Sequence, residues 1–150
     1  MTDPFADRRT QRILSTGERR MAVPNDRKYS QTHEWFMADG RTVTIGITQF
    51  AADQLTDITY VDLPKVGTQV EGGTHFGEIE SVKATGELYT AVSGKVIAVN
   101  TRLADEPGLV NSDPFHEGWM IRVECSDLSP LDKLMDGPAY DRMISEAQGA

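Results

Sequence analysis

From residue 28 to residue 125, apolar and polar positions alternate in short runs, broken by glycine, proline and Asx-containing pairs. Glu34-Trp35-Phe36-Met37 and Thr42-Val43-Thr44-Ile45-Gly46 flank Asp39-Gly40, which predicts a β-hairpin turning at Asp39-Gly40. Ile58, Tyr60 and Asp62 alternate with Thr59, Val61 and Leu63, predicting a strand that Pro64 closes. Four further runs follow: Thr68–Val70, His75–Val82, Glu87–Val92 and Lys95–Asn100. Their punctuation is Val66-Gly67, Glu71-Gly72-Gly73, Thr85-Gly86 and Ser93-Gly94. Gly118–Val123 reads as another strand with Trp119 filling the core, and Cys125 continues its alternation as a packed residue. Strands this short, spaced this closely, predict a compact all-β sandwich or barrel.

The period changes to helical in three places. Thr48 is placed to cap a helix over Gln49–Leu55 that buries Phe50, Ala51 and Leu55. Ser129-Pro130-Leu131-Asp132 has the serine cap, early proline and early acid of a helix start, with Leu131, Leu134 and Met135 on one face. Gly137-Pro138 breaks that helix, and Tyr140, Met143 and Ile144 form the stripe of a last one. Leu103–Pro114 reads as a polar connection. Residues 1–27 lack an apolar period and any secretory signal core, so they read as a mobile extension, with Met21 an alternative start. Residues 145–150 are expected to fray, leaving one domain over 28–144.

Charge is uneven along this chain of net charge −8. Residues 1–28 hold seven Arg or Lys against four Asp or Glu, which leaves −11 on the other 122 residues. An acidic body argues against nucleic acid and suits docking on partners with basic surfaces. No apolar run nears the roughly 20 residues of a membrane span. A single cysteine excludes an internal disulfide and fits a reducing compartment. His33, His75 and His116 lack ligand-like spacing, so no metal site is assigned. Phosphate loops, Cys-x-x-Cys, zinc-helix motifs and nucleophile elbows are missing as well, so no catalytic residue is assigned. The chain reads as a module that presents something rather than an enzyme.

What it presents is suggested by Gly77–Tyr89, two strands around a tight turn whose break is assigned to Thr85-Gly86. Lys83 stands at or beside the tip. There it is open to a modifying enzyme, although many hairpin-tip lysines only keep a turn soluble.

Taken together, several motifs resemble the glycine cleavage H-protein family of lipoyl carriers. They are Thr32-His33-Glu34-Trp35, Gly46-Ile47-Thr48, Tyr60-Val61-Asp62-Leu63-Pro64, Glu80-Ser81-Val82-Lys83-Ala84, Leu88-Tyr89 and Val92-Ser93-Gly94. Asp105-Glu106-Pro107, Leu109-Val110-Asn111, Asp113-Pro114 and Gly118-Trp119 extend the likeness, which covers about residues 28–144 in order. The resemblance implies a mainly β fold of the lipoyl/biotinyl-carrier type, a barrel-sandwich hybrid of two small antiparallel sheets with short peripheral and C-terminal helices. It implies lipoic acid in amide linkage to Lys83, with Glu80, Ser81, Val82 and Ala84 as the attachment motif. It further implies that Thr32, Glu34 and Glu87 hold the cationic amine of the loaded arm in a surface cleft; ordinary surface charge is the alternative for the two glutamates. The implied partners are the pyridoxal-phosphate glycine decarboxylase (P protein), the tetrahydrofolate-dependent aminomethyltransferase (T protein) and dihydrolipoamide dehydrogenase (L protein). A lipoate ligase or octanoyl transferase would load the lysine. The aminomethyl group would be collected at the first enzyme and delivered at the second, and the third would reoxidise the carrier. The implied setting is the cytoplasm in a bacterium, or the mitochondrial matrix in a eukaryote.

Competing readings are an H-like carrier that donates lipoyl groups to other proteins or serves another redox pathway, and an unmodified scaffold of the same fold. A biotin carrier would place methionines where Val82 and Ala84 stand. Three positions depart from the family pattern: Thr56 replaces a usual glycine, Glu87 replaces a common aspartate, and the stretch before Lys28 lacks a counterpart.

Overall fold

The computed structural model describes residues 23–149. Strands form where the alternating runs were expected, with shifted ends. In chain order the elements are β1 (Lys28–Tyr29), β2 (Glu34–Asp39), β3 (Thr42–Ile47), α1 (Gln49–Leu55), β4 (Ile58–Asp62), β5 (Gln69–Val70) and β6 (His75–Ser81). There follow β7 (Thr85–Tyr89), β8 (Gly94–Val99), α2 (Arg102–Asp105), α3 (Leu109–Ser112), β9 (Ile121–Glu124), a 3-10 turn (Ser129–Lys133) and α4 (Gly137–Gly149). The strands build two antiparallel sheets, one ordered β1-β2-β3-β9-β8-β5 and one ordered β4-β6-β7. Val43, Ile45, Val96 and Val123 from the first share a core with Val61, Phe76, Ile79 and Leu88 from the second. The result is a sandwich in which each sheet keeps its own edges, not a closed barrel.

The first hairpin reverses through Gly40-Arg41, with Asp39 opposite Thr42 and Gly40 at φ 62°. β2 breaks simple alternation, because Glu34, Trp35 and Phe36 are all buried. Both its faces are covered: Phe36 enters the core between the sheets, while Trp35 joins Tyr29, Tyr140 and Ile144 beneath α4. In β4 the buried residues are Ile58 and Val61, three apart, rather than one alternating set. A bulge between Ile58 and Tyr60 in the pairing with β6 shifts the phase and turns both inward.

Several expectations need correction. Leu103–Pro114 is not merely a polar connection: α2 and α3 bury Leu103 and Val110 in the main core. Ser129 is the first residue of a 3-10 turn rather than the cap of an α-helix, and its N–H donates to the Asp127 carboxylate at 3.0 Å. Gly137-Pro138 separates that turn from α4 by being the first residues of α4, where proline's missing N–H costs nothing. Asp136 accepts the Ala139 N–H there at 2.9 Å. Trp119 is half-buried, and the Arg122 guanidinium lies 4.1 Å from its ring centre. In α1, Thr48 caps as expected by accepting the Ala51 N–H, but Ala52 is the buried residue while Phe50, Ala51 and Leu55 are half-buried.

Most of the extension expected over residues 1–27, including Met21, lies outside the described residues. The remainder is packed. Arg27 is buried with its guanidinium 4.6 Å from the Trp35 ring centre and 5.6 Å from that of Phe115, and it donates to the Phe115 carbonyl at 2.9 Å. The Tyr29 hydroxyl donates to the Pro24 carbonyl at 2.5 Å. At the other end, residues 145–149, expected to fray, continue α4.

Candidate functional site

Pairing of β6 with β7 runs up to Glu80 opposite Thr85, so the chain reverses through Ser81–Ala84. Thr85-Gly86, expected to be the break, lies within β7 with Gly86 opposite Ile79. A side chain makes the turn instead of a glycine. The Ser81 hydroxyl accepts the N–H groups of Lys83 at 3.1 Å and Ala84 at 3.0 Å, and the Ser81 N–H donates to the Ala84 carbonyl at 2.8 Å. Lys83 stands exposed at the tip, and Val82 beside it is 71% exposed. Glu80 and Ala84 are exposed too, so among the four residues around Lys83 in this motif only the Ser81 side chain is spent on bracing the turn. Outside the hairpin, the Val82 N–H donates to the Asp57 carbonyl at 3.0 Å and the Lys83 ammonium to the Gln54 carbonyl at 3.2 Å.

Gln54 also lines a surface cleft of about 210 Å³ between α1 and the β6–β7 hairpin. Ile47, Phe50, Leu55, Ile79 and Leu88 give it apolar walls, and Thr32, His33 and Glu87 add polar groups. This explains why one face of α1 is only half-buried: Phe50, Ala51, Gln54 and Leu55 form the cleft's side. A slot of this lining, whose rim touches the lysine, fits a long hydrocarbon arm rooted on Lys83 with a polar head.

Of the three residues expected around the arm's amine, Thr32 and Glu87 line the cleft and Glu34 does not. Glu34 is 1% exposed and stands behind the wall, where its carboxylate is already engaged. Oε1 accepts the Ser30 hydroxyl at 2.6 Å and the Thr32 hydroxyl, and Oε2 accepts the Tyr89 N–H at 3.0 Å. Burial pushes the Glu34 carboxyl above its ordinary range, against the opposing pull of those hydrogen bonds. Glu87 accepts the Tyr89 hydroxyl at 2.6 Å, and this bond pushes the phenol up.

His33 belongs to the site but has no role in the sequence reading beyond its motif. Its backbone is left-handed at φ 75°, held by the His33 N–H to the Ser30 carbonyl and by the Thr48 N–H to the His33 carbonyl. That conformation sets Nδ1 2.7 Å from the Tyr140 hydroxyl, which is itself 2.7 Å from the Thr48 hydroxyl. Burial holds the imidazole below its ordinary pKa. His75 and His116 lie elsewhere, beside Tyr89 and Asp113 respectively. The helical spacing of Phe50, Ala51 and Leu55, expected to be buried, was the local signal of the α1 wall, and Gln54 carried none; nothing local marked His33 as facing the cleft.

Strand register also concentrates negative charge near the lysine. Asp62 lies opposite Glu78, and Glu78 opposite Glu87, so three exposed carboxylates form one row across the small sheet.

The family model described as Glycine cleavage H-protein matches residues 27–147. A glycine cleavage system H protein from Bacillus cereus (strain AH820) is 48% identical over 126 residues, covering 84% of this chain and 99% of its own length. One from Anoxybacillus flavithermus matches with the same identity and coverage. The crystal structure of a glycine cleavage system H protein from Mycobacterium marinum superimposes with a TM-score of 0.75 at 33% identity, covering 82% of this chain and 99% of that one.

Proposed function

Because the chain belongs to the glycine cleavage H-protein family, lipoyl carriers rather than catalysts, we propose that Lys83 bears the lipoyl group. The observation that carries this is the turn itself: Ser81 braces Ser81–Ala84 from within while the Lys83 side chain stays exposed beside an apolar cleft. Acylation of Nζ forms one C–N bond, expels the activating group of the acyl donor, and releases two protons from the ammonium, one to free the attacking amine and one as the amide forms. A cation becomes a neutral amide, which removes the charge that would oppose docking against apolar walls. When bound, lipoate supplies a disulfide that takes up an aminomethyl carbon and is reduced in doing so.

The chain's own residues then have separable tasks. Phe50, Leu55, Ile79 and Leu88 exclude water from the cleft. Thr32 and Glu87 offer a hydroxyl and a carboxylate to a cationic amine, a pairing that strengthens as water is excluded. Glu34 accepts the Thr32 hydroxyl, so its task is to orient Thr32 rather than to meet the amine in the cleft. The proposed partners are the glycine decarboxylase that loads the carrier, the aminomethyltransferase that unloads it and the dihydrolipoamide dehydrogenase that reoxidises it. A lipoate ligase or octanoyl transferase is proposed to attach the cofactor. The bacterial relatives support a cytoplasmic setting.

The test is intact-protein and peptide mass spectrometry after incubation with lipoate ligase, lipoate and ATP. The expected result is one lipoyl increment confined to the peptide containing Lys83. No increment on folded protein with an active ligase would leave an unmodified scaffold as the better reading.

A further inference from the structure

The corner between α1 and β4 has a backbone that its residue does not favour. Thr56 ends α1 at φ 62° and ψ −149°, a conformation open essentially to glycine alone. A threonine stays there only if its surroundings hold it, and the holding group comes from 55 residues further along the chain. The Asn111 side chain donates to the Thr56 carbonyl at 2.8 Å and accepts the Ile58 N–H at 2.9 Å. Its backbone carbonyl accepts from the Gln49 side chain at 2.9 Å, tying α3 to the start of α1.

These two side-chain bonds fix the peptide groups on both sides of Asp57. The Asp57 carbonyl is the acceptor for the Val82 N–H, the one backbone bond that holds the lysine turn from outside the hairpin, among the described residues. Gln54, one turn of helix before the same corner, supplies the carbonyl that receives the Lys83 ammonium. A continuous line of hydrogen bonds thus runs from Asn111 through the Thr56–Ile58 corner to Val82, the residue before Lys83. The Lys83 bond to Gln54 is a separate contact with the last turn of α1.

We infer that Asn111 is a positioning residue for Lys83: it holds the strained corner in register, the corner anchors the lysine turn, and the turn presents the amine to the enzyme that acylates it. The inference rests on the reading of Lys83 as the attachment residue. Asn111 touches neither the amine nor the cleft, so its effect is on presentation. With the corner released, the turn keeps its Ser81 brace but loses its external anchor, and the amine samples orientations that do not lead to transfer.

The full chain would be compared with Asn111→Asp, Asn111→Ala and the double variant Asn111→Ala/Thr56→Gly. Asn111→Asp is isosteric, keeps the acceptor for Ile58 N–H and loses the donor to Thr56. Two readouts are used: lipoate-ligase kinetics with the protein as varied substrate, and hydrogen exchange at the Val82 amide. Expected for both single variants are faster Val82 exchange than in wild type, with core amides of β3 and β9 unchanged, and a fall in kcat of about tenfold with KM nearly unchanged. Thr56→Gly, which adopts the corner without strain, should recover most of the loss. A purely structural role would lower global stability without moving Val82 selectively, and glycine would not restore kcat. Wild-type kcat and wild-type Val82 protection in folded Asn111→Asp would overturn the inference. If the wild-type chain is not acylated at Lys83, the attachment reading fails, while Val82 exchange still decides whether Asn111 holds the turn.

Discussion

Lys83 and His33 show how one chain sets side chains to opposite ends. Lys83 is exposed and packs against little, so Lys83→Arg should abolish acyl loading, because a guanidinium stays protonated and is a poor nucleophile. The same change should alter stability by less than about 0.5 kcal/mol in urea denaturation, and a larger loss would contradict the exposed tip. His33 is held neutral by burial, with its unfolded reference at 6.5 and its folded value lower. Between those values the unfolded chain binds more protons, so stability rises with pH. The His33 contribution is therefore complete above 6.5 and is lost as pH falls through the folded value. Comparing wild type with His33→Phe by urea denaturation from about pH 7.5 to 5 should show a steeper acid loss in wild type. Parallel profiles would mean that the imidazole is not held neutral.

Among the elements, the strained end of α1 and the contact of β4 with β6 define the platform under the lysine. Thr56 holds a conformation that costs of the order of 1–3 kcal/mol for a residue with a side chain. Glycine removes that cost but gives back about 0.5–1 kcal/mol through its freer unfolded state, so Thr56→Gly should stabilise by about 1 kcal/mol. A lower urea midpoint would show that the threonine is not strained. Gly77 has the opposite role: a Cβ there would stand 2.2 Å from the Asp62 carbonyl oxygen, which is backbone and cannot swing aside. Gly77→Ala should push β4 away from β6 and destabilise by about 2–3 kcal/mol, measured by thermal or urea unfolding. An unchanged midpoint would mean that the two strands separate freely.

For the whole molecule the deciding property is charge, net −8 and locally a row of Asp62, Glu78 and Glu87 across β4 and the two strands of the lysine hairpin. Association with enzymes that offer basic surfaces should weaken as salt screens it, since the Debye length falls from more than 10 Å at ~0.05 M to below 5 Å at ~0.5 M. In ligase kinetics, KM for the protein should rise several-fold over that range while kcat holds, and Asp62→Asn/Glu78→Gln should flatten the rise. A salt-independent KM would assign docking to apolar contact such as the exposed Val82 instead.

Much of the site was legible in the chain because its parts are local. The lysine hairpin, the first hairpin, which reverses through Gly40-Arg41 one residue past the expected Asp39-Gly40, and the Thr48 cap depend on residues within a few positions of one another, so alternation and turn chemistry suffice to find them. The lysine turn lies at Ser81–Ala84 and not at Thr85-Gly86 because a serine hydroxyl does there what glycine usually does. What alternation cannot register is contact between distant segments. Covering both faces of β2 buried Glu34 and made it a brace for Thr32, and the bulge in β4 rephased Ile58 and Val61. Packing α1 across the hairpin created the cleft and brought His33 into it. Asn111, in a stretch that read as linker, reaches back to the corner under Lys83. Each of these arises when the two sheets and their flanking helices close on one another, and its energy comes from burial and hydrogen bonds between residues far apart in the chain. The amino-acid sequence by itself determined that Lys83 sits on a short turn between two strands. Only the tertiary structure decided what holds that turn and what it stands beside, because those contacts join distant segments.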